Sequence, residues 1–104
     1  MKNLAIELPL AAMADYCRRW RIVRLEVFGS VLRDDFRADS DIDFLVTWGP
    51  GVEWSWGEFL RAREELASIV GRQIDFIERT AIEQSPNWIR RQDILGTARV
   101  IHAA

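Results

Sequence analysis

Residues 27–46 read VFGSVLRDDFRADSDIDFLV, and the reading of this stretch decides the fold. An apolar run ends at Gly29-Ser30, a polar connector follows, and a second apolar run opens with Asp41-Ile42-Asp43. Side chains alternate faces along a strand, so Asp41 and Asp43 point to one side and Ile42, Phe44 and Val46 to the other. Carboxylates at that spacing repel each other unless a cation lies between them. A divalent ion held by oxygens alone suits Mg²⁺. Gly29 lets the backbone approach a phosphate closely, and the turn after it offers N–H groups to an anion. Ser30 is then either a phosphate-seating hydroxyl or a plain N-cap serine.

The spacing of Gly29-Ser30, ten intervening residues and Asp41-x-Asp43 resembles the signature of the DNA polymerase beta-like nucleotidyltransferase superfamily. Arg33, three residues after Ser30, and Asp39-Ser40 before Asp41 are similar to its branch of minimal nucleotidyltransferases. Asp34 stands where that branch commonly has glycine. Members are small prokaryotic proteins, often encoded beside a HEPN-domain partner as a toxin–antitoxin pair. The resemblance implies an antitoxin that transfers AMP from ATP, with Mg²⁺, to a tyrosine hydroxyl of a HEPN-family toxin RNase, in a hetero-oligomer. It assigns Gly29, Ser30 and Arg33 to the nucleotide, and Asp41 and Asp43 to the metal and catalysis. It also implies a third carboxylate, from the next strand, and Asp75 matches that place. Arg33 stays open between a triphosphate contact and a salt bridge to a nearby acid. Asp75 stays open between third acid and edge-strand charge.

Composition narrows the alternatives. At 104 residues the chain is expected to be a single domain over 1–104, with no room for a second domain to hold a small-molecule acceptor. The acceptor is then a protein surface. The net charge of −2, without a basic run, argues against nucleic acid as a direct partner. The single Cys17 forms no internal disulfide, and no signal peptide or membrane span is recognisable, so a cytoplasmic protein is expected. Cys17 is a buried structural thiol or a reactive one.

Along the chain, Pro9 and the spacing of Leu10, Met13, Ala14 and Cys17 predict a helix over 9–20. Strands are expected at 23–28, 41–48 and 72–78, with a short helical turn over 31–35 and a helix over 57–70 closed by Gly71. Arg18, Arg19, Arg21 and Arg24 surround the first helix end as solvated cations or as phosphate or partner contacts. Thr80 to Glu83 reads as a capping box, and Ser85-Pro86 as the start of a last helix with Ile94, Leu95, Ala98 and Ile101 on its apolar stripe. Gly96 inside that helix suggests a close packing contact, and His102 a bystander at a frayed end. Trp48, Trp54 and Trp56 either cap the core edge or form a recognition patch. Three strands and their helices predict a small mixed α/β sheet with helices packed mainly on one face. Beside the enzyme, a second reading is a non-catalytic antitoxin that neutralises its partner by occlusion.

Overall fold

In the computed structural model, which describes residues 6–33 and 36–104, helix α1 (Leu10–Trp20) leads into strand β1 (Ile22–Phe28). A 3₁₀ turn (Gly29–Leu32), β2 (Ile42–Trp48), α2 (Trp56–Val70) and β3 (Ile74–Glu78) follow. The chain ends with α3 (Arg79–Glu83), α4 (Trp88–Thr97) and β4 (Arg99–Ala103). The sheet order is β3-β2-β1-β4. β1 pairs antiparallel with both β2 and β4, while β2 and β3 run parallel. A parallel pair needs a crossover connection, which α2 supplies.

The period-two pattern of the strands sorts the core. Leu25 and Val27, Ile42, Phe44 and Val46, and Ile74 and Phe76 face one side. Met13, Tyr16 and Cys17 of α1 and Ala62 and Leu66 of α2 cover them. The Tyr16 hydroxyl donates to the Ala62 carbonyl at 2.7 Å, tying the two long helices together. Cys17 is the structural thiol of the two readings: it is fully buried, and burial pushes its pKa up to about 11. A smaller cluster of Phe28, Leu45, Ile82 and Ile94 lies on the opposite face under α3 and α4. The sheet is mixed, as expected, with the larger cluster under α1 and α2 on one face and the smaller one under α3 and α4 on the other. Among the described residues no helix is long and apolar enough to cross a membrane.

Several local expectations are corrected. The last helix stops at Thr97, and residues 99–103 form a fourth strand whose His102 sits opposite Leu25 rather than at a frayed end. Helical spacing of Ile94, Leu95, Ala98 and Ile101 hid the change of period, because Val100 and Ile101 serve a strand equally well. No atom lies within 4 Å of a Cβ built on Gly96, so it marks no close contact. Asn87, not Ser85, caps α4 by accepting from the Arg90 N–H. The capping box expected at Thr80 is instead at the start of α2, where Ser55 and Glu58 exchange both bonds. The turn expected over 31–35 begins two residues earlier, at Gly29, and ends at Leu32; Asp34 and Asp35 of the expected range lie outside the described residues. Of the four arginines around the end of α1, Arg18 and Arg19 pair with Asp15, Arg19 also with Glu65, and Arg24 with Glu26, while Arg21 takes the left-handed C-cap position.

Glu26 is the one buried charged residue among those described, 2% exposed. It is satisfied from outside its strand. Arg79 Nη1 donates to both its oxygens at 2.7 and 2.8 Å, and Arg24 Nε approaches at 3.4 Å. An ion pair buried this deeply stabilises little over an apolar substitute, but removing one member strands the other. Glu26→Gln is expected to cost about 3 kcal/mol in urea denaturation, while Glu26→Met combined with Arg79→Leu recovers most of that loss. Equal losses in the single and double variants would show that the pair is not what anchors α3.

Candidate active site

Strand register builds the site. Phe28, the last residue of β1, lies opposite Asp43 of β2, and Asp43 lies opposite Asp75 of β3. Cross-strand partners share a face. Asp43 and Asp75 therefore stand side by side on the face away from the main core, at the edge where the 3₁₀ turn leaves the sheet. The Asp75 carboxyl acts on that of Asp43 both as a hydrogen-bonding neighbour and as a like charge. The Asp43 carboxyl is pushed up to about 7. Burial is the largest cause, followed by the bond to Asp75 and the charges of Asp75 and Asp41, and the Arg33 charge opposes the rise.

Gly29 completes this contact. Its φ is +77°, and a Cβ built there would run into the Asp43 carboxylate oxygen. Glycine is required twice over, for the left-handed backbone and for the space. Ser30 follows inside the turn, and Phe28, not Ser30, is its N-cap, so the plain capping role does not apply. Asp41 is exposed, one residue before β2. The connector that delivers it is held by Arg72, whose Nη1 donates to the carbonyls of Arg37 and Ser40 at 3.3 and 3.0 Å. The Arg72 guanidinium also lies over the Phe36 ring, 4.8 Å from its centre.

A cleft of about 570 Å³ opens beside Gly29. Phe28, Leu32 and Ile94 give it an apolar wall, and Arg33, Arg90 and Arg99 edge it, with Asp93 and Thr97 between them. Sequence reasoning missed Arg90 and Arg99. Their only signal was the excess of arginine around a helix whose end was misplaced.

Of the expected residues, the structure brings Gly29, Asp43 and Asp75 into contact, with Ser30 next in the turn and Arg33 and Asp41 acting on Asp43 through their charges. It does not close the acids into a ready-made ligand set: among the described residues no group of three or more His, Cys, Asp or Glu is placed to hold a metal ion. The donor chemistry nonetheless fits a hard cation. Carboxylate oxygens are the ligands Mg²⁺ prefers, and a cation between Asp43 and Asp75 would offset the repulsion of their charges.

Comparison with known proteins places the chain in a family. The family model described as nucleotidyltransferase domain matches residues 13–101. The chain belongs to this family. A protein of Methanocaldococcus jannaschii named "Putative protein adenylyltransferase" is 33% identical over 61 residues, covering 59% of this chain and 63% of that protein. The match thus spans less than two thirds of the relative's length. A solved structure of a "putative minimal nucleotidyltransferase" is 30% identical, with a TM-score of 0.65 over 86% of each chain. The MNT antitoxin complexed with a tri-AMPylated HEPN toxin of Shewanella oneidensis shares the fold, at 14% identity and a TM-score of 0.61 over 91% of this chain and 70% of that one.

The raised Asp43 carboxyl has a consequence for stability in this chain. Its folded value, about 7, lies above the ordinary 3.8. The folded state therefore binds the proton more tightly than the unfolded state between those values. Stability from this group is fully present below about pH 4, falls as pH rises towards 7 and stays lost above it. In metal-free protein, Asp43→Asn is expected to flatten that fall and to be more stable than wild type at pH 8, measured by urea denaturation across the pH range. Gly29→Ala, by contrast, is expected to destabilise at every pH by at least about 1 kcal/mol, through its left-handed backbone.

Proposed function

We propose that this nucleotidyltransferase moves AMP from ATP to a tyrosine hydroxyl of a protein partner, a HEPN-type toxin RNase, and so neutralises it. The observation that carries the reading is the pairing of Asp43 with Asp75 against Gly29, which itself lines a cleft edged by three arginines. Two carboxylates set side by side near guanidinium groups are costly for the fold and suited to polyphosphate chemistry. The names of the Methanocaldococcus relative and of the Shewanella complex support AMP as the transferred group and a HEPN toxin as the acceptor.

On this reading Gly29 and Ser30 seat the β- and γ-phosphates, and Arg33, Arg90 and Arg99 balance their charge. Asp41 and Asp43 hold Mg²⁺, with Asp75 beside them as a further ligand or as the base. When bound, Mg²⁺ neutralises the triphosphate against the carboxylates and polarises it. The acceptor oxygen forms its bond to the α-phosphorus as the bond from that phosphorus to the bridging oxygen breaks. Pyrophosphate leaves with the electron pair, and Asp75 takes the hydroxyl proton. Most of the acceleration comes from in-line positioning and charge balance.

The exposed Trp56 favours a second reading, in which the chain neutralises its partner by covering it. Intact mass of the partner after incubation with this chain, ATP and Mg²⁺ separates them. Transfer predicts gains of whole AMP units, reduced at least about 10²-fold by Asp41→Asn or Asp43→Asn in folded protein. Neutralisation that survives Asp43→Asn and needs no ATP would establish occlusion instead. Arg90→Gln and Arg99→Gln are each expected to raise the KM for ATP about tenfold, the loss of one charge-assisted bond to phosphate.

A further inference from the structure

The far end of β2 carries a second cleft with no part in this chemistry. Trp48 closes β2 five residues after Asp43, about 16 Å along the strand. Trp48, Trp54, Trp56 and Phe59 line a cleft of about 490 Å³, and Glu53 and Glu78 stand at its edge. Among the described residues no basic side chain lines it. Trp48 and Trp54 meet edge to face at 6.1 Å, forming a wall braced from behind by Trp20 at 5.3 Å from Trp54. Trp56 is different. It lies flat on Phe59, 5.5 Å between ring centres and 11° between planes, and is 72% exposed. One face is supported and the other is open. The Trp54 indole N–H is buried without a hydrogen-bond partner among the described residues, a donor that the fold leaves unused.

An open indole face, an indole wall and carboxylates that no cation among the described residues pairs with define an occupant by charge. A purely apolar guest would leave Glu53 and Glu78 to be desolvated without compensation, and an anion would be repelled. A cation gains from both the rings and the carboxylates. The flat platform suits a planar guanidinium better than a compact ammonium, because guanidinium stacks while still donating to carboxylates from its edge. We infer that this cleft is a docking site for an arginine side chain presented by a protein partner, which it holds at the end of the sheet away from the acid pair. The inference does not depend on nucleotide transfer.

The test uses the indole N–H signals of the ¹⁵N-labelled chain, assigned by single Trp→Phe variants. The probes are acetyl-Gly-Arg-Gly-amide, its lysine counterpart and its citrulline counterpart, the last a neutral shape match for arginine. Saturable shifts of the Trp54 and Trp56 signals are expected with the arginine peptide, weaker ones with lysine, and at least about tenfold weaker binding with citrulline. Glu53→Gln combined with Glu78→Gln should bring arginine binding down to the citrulline level. Trp56→Ala, at an exposed position, should weaken it about threefold with the remaining signals in place. Equal binding of the arginine and citrulline peptides would overturn the inference in favour of a plain apolar face. Shifts confined to the surroundings of Asp43 and Asp75 would overturn it as attraction to the acid pair.

Discussion

The parallel register between β2 and β3 sets Asp43 opposite Asp75, and the rest of the molecule follows from holding that register. Two like charges meeting across adjacent strands push the strands apart. What keeps them together is the other face, where Ile42, Phe44 and Val46 interleave with Ile74 and Phe76 under α1 and α2. A slip of one residue would turn that apolar set outward, so the core fixes the register against the repulsion at the edge. The crossover helix α2 is firmly started by Ser55 and Glu58 and ended at Gly71, whose φ of +73° no β-branched residue would adopt easily. The site is strained electrostatically because the hydrophobic core can afford to hold it so.

The opposite face is organised for a different purpose. A buried carboxylate at Glu26, one row along the sheet from Asp43, calls Arg79 inward and so fixes where α3 begins. α3 and α4 then contribute Ile82, Ile94 and the partly buried Leu95 to a small cluster with Phe28 and Leu45. Such thin packing leaves room for the cleft between α4 and the Gly29 turn. The positive charges around that cleft come from the 3₁₀ turn, α4 and β4, elements far apart in sequence. A chain of net charge −2 thus concentrates arginine where an anion would lie and keeps its acids paired nearby.

Much of this was legible in the sequence where one residue type answers one physical demand. Gly29, Asp43 and Asp75 could be placed because strand alternation and a left-handed turn leave few choices. The register that brings Asp43 to Asp75 could not, since a sequence does not reveal which strands pair; the family resemblance supplied it. Arg90 and Arg99 escaped because their role depends on where α4 stops. Residues 94–101 satisfy a helical stripe and a strand equally, and sheet pairing with β1 decided between them. The capping box at Thr80 failed for a similar reason: Arg79 is held by Glu26, so α3 starts before the threonine can cap it. Glu26 itself gave no signal, for a glutamate in a strand reads as surface until its neighbours are known.

The tryptophans show how one composition feature divides into distinct physical roles. Trp20, Trp48 and Trp54 brace one another and the core through edge contacts with Phe59 and Phe76 behind them. They are core-edge residues. Trp56 gains nothing comparable from the fold, since most of its surface stays in water. A large ring kept exposed in the first turn of a helix, where a good helix former would serve stability better, is what the proposed docking site would account for. Because β2 connects both ends, the acid pair and the aromatic cleft are held in fixed relation by one strand. A partner seated on the cleft would therefore reach the carboxylates at a set distance rather than through a flexible tether, and positioning of that kind is what in-line transfer demands of an acceptor.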